Sequence, residues 1–113
     1  MSVLDQTTKL KQSERQFERA VVEYAQLNGW LVYHTFDSRR SNPGFPDLVL
    51  VRDGELIFAE LKTEKARLSA AQLDWLAALA WVEQSITEGC SRPIKVTTWR
   101  PRAWPEIEKV LAR

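Results

Sequence analysis

Cysteine is nearly absent: Cys90 is the only one in 113 residues, beside a single histidine. No intrachain disulfide can form, and no cysteine-based zinc cluster can be assembled. A chain of this kind suits a reducing compartment, so a cytoplasmic location is expected. Long apolar runs are missing as well. The longest, Trp75 to Val82, is closed off by Asp74 and Glu83, well short of the roughly 20 residues that cross a bilayer. The first residues hold no apolar stretch of signal-peptide length, and no membrane partner is expected. Charge of one sign is lacking too. Lys and Arg number 16 against 15 Asp and Glu, for a net +1. That excludes a protein that coats nucleic acid with bulk positive charge.

What is present is the material of one domain. Hydrophobic residues make up 44% of the chain, enough for one core and not for two. No repeat, low-complexity tract or linker divides it. Residues 1–12 are polar without a period and read as a flexible N-terminal segment, leaving 13–113 as the single domain. The charge changes sign along the chain. Residues 1–53 are neutral, 54–90 carry three basic and six acidic groups, and 91–113 carry six basic and two acidic. An acidic site flanked by groups that hold an anionic polymer would have this pattern.

Ser13 is a good N-cap, and Phe17, Ala20, Val21, Tyr24 and Leu27 recur at helical spacing until Asn28-Gly29 stops the helix. Trp30 to Phe36 is aromatic and β-branched, a strand, followed by a loop dense in turn formers. Asp47 to Val51 reads as a strand buried on both faces. Asp53-Gly54 is a two-residue hairpin turn, and residues 55–62 form its partner strand. Ser69 caps a second helix that is apolar almost all round, so it is either the central core helix or meets another subunit. Residues 94–99 form a last strand, Pro101 breaks it, and residues 103–112 form a short helix. The expected fold is α/β, a mixed sheet flanked by helices in the order α-β-β-β-α-β-α.

Three charged residues sit where a plain hairpin does not need them. Asp47 opens an apolar strand, and Glu60 and Lys62 lie within the next. Side chains alternate along a strand, so Glu60 and Lys62 share a face. Counted back from the turn, Asp47 and Glu60 are cross-strand neighbours. Two adjacent carboxylates repel unless a cation lies between them. Hard oxygen ligands select Mg²⁺ or Mn²⁺, and an ammonium beside them can orient water or stabilise charge developing on a phosphate. The bland alternative is a solvent-facing Glu-Lys ladder. Glu14 in the first helix lies within about 60° of its buried direction, whereas Glu18 is about 100° away.

The phrases GFPDL and AELK stand in order with SE in the first helix, GW and YH around the first strand, SRRS, Gln72 and WRP. Together they resemble the VRR-NUC (viral replication and repair nuclease) branch of the PD-(D/E)xK nuclease superfamily. The resemblance implies a restriction-endonuclease-like core and a metal-dependent DNA endonuclease using Mg²⁺ or Mn²⁺. By it, Asp47 and Glu60 would be metal ligands with the Leu61 carbonyl, Lys62 the catalytic lysine, and Glu14 the first-helix acid and a further candidate ligand. Gln72 would be the family's catalytic glutamine; its alternative is a capping partner for Ser69. His34, Arg39, Arg40 and Ser41 would line the DNA side, where paired arginines suit phosphate. The resemblance further implies branched or four-way junction DNA as substrate and a phage setting. The segment from Val82 to Lys95 is longer than usual for the family.

Two other classes compete: a DNA-binding module of the same fold without turnover, and a docking subunit of a repair or packaging complex. A homodimer is expected, because Trp81, Leu73, Ala77 and Ala80 fall on sides of their helix that one sheet-facing stripe does not use.

Overall fold

Asp53-Gly54 sets the frame. Both residues have positive φ, 49° and 81°, the geometry with which a two-residue turn follows the twist of its strands. The turn joins β2 (Leu48–Arg52) to β3 (Glu55–Leu61), with Leu48 opposite Ala59 and Arg52 opposite Glu55. The computed structural model describes residues 3–35, 42–86 and 94–113, with side chains from residue 13 onward. Around the hairpin lie α1 (Val3–Leu27), β1 (Leu31–His34), α2 (Ala70–Ile86), β4 (Ile94–Trp99), a 3-10 turn (Pro101–Ala103) and α3 (Trp104–Ala112). The sheet order is β1-β2-β3-β4. β1 is antiparallel to β2, and β4 is parallel to β3, the parallel step running through α2. The mixed α/β architecture is therefore the one expected.

One face of the sheet carries the core. Leu48, Leu50, Ile57, Ala59 and Trp99 meet Phe17, Val21 and Ala25 of α1 and Ile107, Val110 and Leu111 of α3. Arg52 locks two helix ends there. Its guanidinium lies 4.4 Å over the Trp30 ring and donates to the carbonyls of Asn28 and Leu111, each at 2.9 Å, and to that of Arg113. A cation serving carbonyls at helix C-termini also suits the helix dipole.

Three sequence expectations need correction. The first helix starts at Val3, ten residues before Ser13, so Ser13 is an interior position and not a cap. The β2 strand is buried on one face only: Leu48 and Leu50 are fully covered, whereas Val51 is 41% exposed. α2 is not a core helix, since none of its residues is buried. It lies over β4, and Trp75 reaches the sheet through Phe45, whose ring sits edge-on to Trp75 at 5.1 Å and to Phe58 at 6.1 Å. A helix can bury only one stripe against a sheet, and no described element covers its other side.

Candidate active site

Asp47 is placed by the segment before it. Gly44 has φ +90°, and a Cβ there would collide with the Ala71 carbonyl in the first turn of α2. Glycine alone lets the chain pass so close. Phe45 then wedges between Phe58 and Trp75, and Pro46 is fully buried. Thr35 holds the next step twice: its hydroxyl donates to the Pro46 carbonyl at 2.8 Å and its N–H to the Asp47 carbonyl at 2.9 Å. The Asp47 side chain in turn accepts the Leu61 N–H through Oδ2 at 2.8 Å. With Leu48 opposite Ala59, one step outward sets Asp47 opposite Glu60, as strand counting predicts.

These groups open onto a cavity of about 220 Å³ lined by Glu14, Phe17, Glu18, Asp47, Glu60, Leu61, Lys62 and Thr63. Glu60 is only 2% exposed, the one fully buried charged residue among the described residues. Burial, and then the Asp47 carboxylate that shares a hydrogen bond with it and repels its charge, push the Glu60 carboxyl from 4.5 up to about 8, against the opposing pull of Lys62. Its Oε2 is buried and meets no N–H or O–H donor among the described residues, so only a proton or cation shared with Asp47 can satisfy it. A buried acceptor without a donor costs free energy unless a cation or proton meets it.

Gln72 makes the capping contact that the sequence offered as the alternative, and its amide also reaches Glu60. Its backbone N–H donates to Ser69 Oγ at 3.1 Å and its Oε1 accepts the Ser69 N–H at 2.8 Å, a reciprocal capping box. The cap thereby fixes which end of the amide faces the site. Only the donor Nε2 can point at Glu60, and it reaches Oε1 at 3.3 Å.

The donor set fits a hard cation. Mg²⁺ binds through one or two carboxylates and keeps waters and substrate oxygens for the rest; Asp47 and the orphaned Glu60 Oε2 supply such a pair. Among the described residues no three carboxylate or histidine groups converge as a metal cage. Glu14 is thus on the cavity wall and not gathered with the other two. Glu18 is more involved than its helical angle suggests: it lines the same cavity and its Oε1 pairs with His34 Nε2. Arg39, Arg40 and Ser41 lie outside the described residues, as does Cys90.

The sequence reading missed Thr35 and Arg100. Arg100 Nη1 donates to the carbonyls of Thr63 at 2.6 Å and Ala66 at 2.7 Å, and the Lys62 N–H donates to the Trp99 carbonyl at 3.0 Å. The loop leaving Lys62 is thus tied to the end of β4. The phrase WRP contains this arginine, but nothing in its spacing connects it to residues 63–66.

A scan of family models matches the VRR-NUC domain over residues 5–87, well over half of the 113-residue chain. Searches of curated proteins and of solved structures found no match.

Proposed function

The chain belongs to the VRR-NUC domain family, a family of nucleases, and on that premise we propose that it is a Mg²⁺- or Mn²⁺-dependent endodeoxyribonuclease that hydrolyses phosphodiester bonds of branched DNA, four-way junctions first among them. It acts as a homodimer in the cytoplasm, in phage replication, recombination or repair. The observation that carries the metal-dependent reading is the buried Glu60 Oε2 without a donor, opposite Asp47 and beside Lys62.

Asp47 and Glu60 would hold the cation, joined by the Leu61 carbonyl, with Glu14 a further acid on the cavity wall. When bound, the cation supplies positive charge for the attacked phosphate and acidifies water. Gln72 pins Glu60 Oε1, so that Oε2 is the oxygen offered to the cavity. Lys62 stands at the same wall and brings an ammonium to the charge that builds on the phosphate in the transition state. The Leu61 N–H keeps Asp47 Oδ2 in place, and Phe17 closes the apolar side of the cavity.

A cleavage panel of four-way junction, flap, single-stranded and duplex DNA with Mg²⁺ and Mn²⁺ tests the proposal. We expect junction cutting that chelator abolishes. Asp47→Ala should lose it with the fold intact, and Lys62→Ala should lose about 10²–10³ in rate while still binding metal. Full cutting by Asp47→Ala would remove the metal-site assignment.

A further inference from the structure

A second hollow, of about 330 Å³, adjoins the first and is lined by Arg15, Glu18, Arg19, Val22 and His34. Glu18 lines both hollows, so they share a wall. Their charges are opposite in kind. The catalytic hollow holds Glu14, Glu18, Asp47 and Glu60 against one lysine, a surrounding that repels a polyanion. The second holds two guanidiniums. Arg15 and Arg19 are four residues apart, hence neighbours on one side of α1. Both are exposed, and among the described residues neither is in an ion pair.

The acid in this hollow best placed to neutralise Arg15 is Glu18, three residues beyond it. His34, at the end of β1, occupies it instead: His34 Nε2 meets Glu18 Oε1. The pair holds Glu18 away from Arg15, so His34 acts through Glu18 rather than by meeting a ligand itself. Arginine is the side chain whose planar fork suits a phosphate. Successive phosphates of one strand rise by only about 3.4 Å along a duplex axis, so a strand with one phosphate in the catalytic hollow carries another past the adjoining one. From this we propose that Arg15 and Arg19 form a subsite for a backbone phosphate flanking the one that is cut, with Glu18 and His34 as positioning residues. The subsite rests on the nuclease reading, and it supplies the attraction that the carboxylate-rich catalytic hollow lacks.

The test is binding and cutting of labelled junction DNA in which single phosphates near the cut are replaced by neutral methylphosphonates. Wild type should lose affinity at one or two positions beside the cut. The Arg15→Ala/Arg19→Ala variant should bind unmodified DNA about 10- to 100-fold more weakly, with a salt slope smaller by about 1–2. It should also be indifferent to the same methylphosphonates, and it should melt as wild type does. Arg15→Lys/Arg19→Lys should recover most of the salt slope. His34→Ala should weaken binding by freeing Glu18 to pair with Arg15, and His34→Ala/Glu18→Ala should restore it. A double-alanine variant with unchanged affinity, or with the wild-type methylphosphonate profile, overturns the subsite. No recovery in His34→Ala/Glu18→Ala overturns the positioning role. A wild type that cuts and binds no DNA with either metal overturns the nuclease reading itself, a result distinct from the other two.

Discussion

Glu60 keeps its proton at neutral pH in the metal-free protein because burial and Asp47 both oppose its charge, which lifts it from 4.5 to about 8. The folded chain therefore binds more protons than the unfolded chain between those values. This contribution to stability is fully present below about 4.5, falls as pH rises through 8, and levels above. Thermal melts of metal-free protein between pH 5 and 9 should show that decline, and Glu60→Gln should flatten it and melt several degrees higher at pH 8.5. A metal ion takes the proton's place, so affinity for Mn²⁺ by calorimetry should climb about tenfold per pH unit up to 8 and then level. A Mn²⁺ affinity flat from pH 6 to 8 would contradict Glu60 as ligand. The Asp47–Glu60 pairing was legible in the sequence because strand arithmetic from a two-residue turn has only one solution. The amide of Gln72 was not: that one side chain both caps a helix and reaches a carboxylate depends on where α2 begins relative to β3, which no local pattern encodes. Gln72→Ala should lower metal affinity or activity by about 10- to 100-fold, as for other groups that orient ligands.

Elements bring these residues together through two tight approaches. At one, Gly44 presses against the first turn of α2, so the segment that carries Asp47 and the turn that carries Gln72 are set by the same contact. Gly44→Ala forces a Cβ into the Ala71 carbonyl at a φ that L residues rarely adopt. It should cost about 2 kcal/mol or more in denaturant melts and reduce cutting beyond what the melt explains, because Asp47 and Gln72 are driven apart. At the other, Arg100 gathers the carbonyls of Thr63 and Ala66 behind Lys62. Arg100→Ala leaves those acceptors to solvent and loosens the loop. Turnover should fall about tenfold or more with the Mn²⁺ affinity at Asp47 and Glu60 unchanged; an equal loss of metal binding would show that the whole strand end had moved. Most elements were readable from periodicity, the hairpin turn and the Ser69 cap, whereas the cap signal at Ser13 misplaced the start of α1. The other two exceptions share one physical cause. β2 has the apolar run of a doubly covered strand and α2 the all-round apolarity of a core helix, but composition reports what an element can bury, not what lies next to it.

Among the described residues, two rows of apolar side chains lie uncovered. On the α2 side of the sheet, Leu31 at 74%, Tyr33 at 63% and Val51 at 41% exposure lie together across β1 and β2, with Leu31 paired to Val51. On α2, Leu73 and Trp81 are 52% and 71% exposed and fall in one row with the exposed Ala77 between them at four-residue spacing. Single exposed apolar residues need no explanation, but rows of them on a chain of 13.1 kDa are the kind of surface a partner covers. For the helix row the partner we expect is a second copy. Small Ala77 between two large side chains lets two such helices approach, and a two-fold contact puts the same row on both sides. The N-terminal turn of α2 also carries Gln72, so pairing through this helix would hold two catalytic cavities in a fixed relation, suited to two symmetric cuts in a junction. Light scattering should give a mass near twice that of one chain. Trp81→Glu should give a monomer that melts close to wild type, because Trp81 is already mostly in solvent, and that nicks one strand of a junction without resolving it. If Trp81→Glu stays dimeric while Leu31→Lys becomes monomeric, the copies meet through the open half of the sheet and not through α2. A wild type that is monomeric at micromolar concentration, with metal and junction DNA present, rules the dimer out.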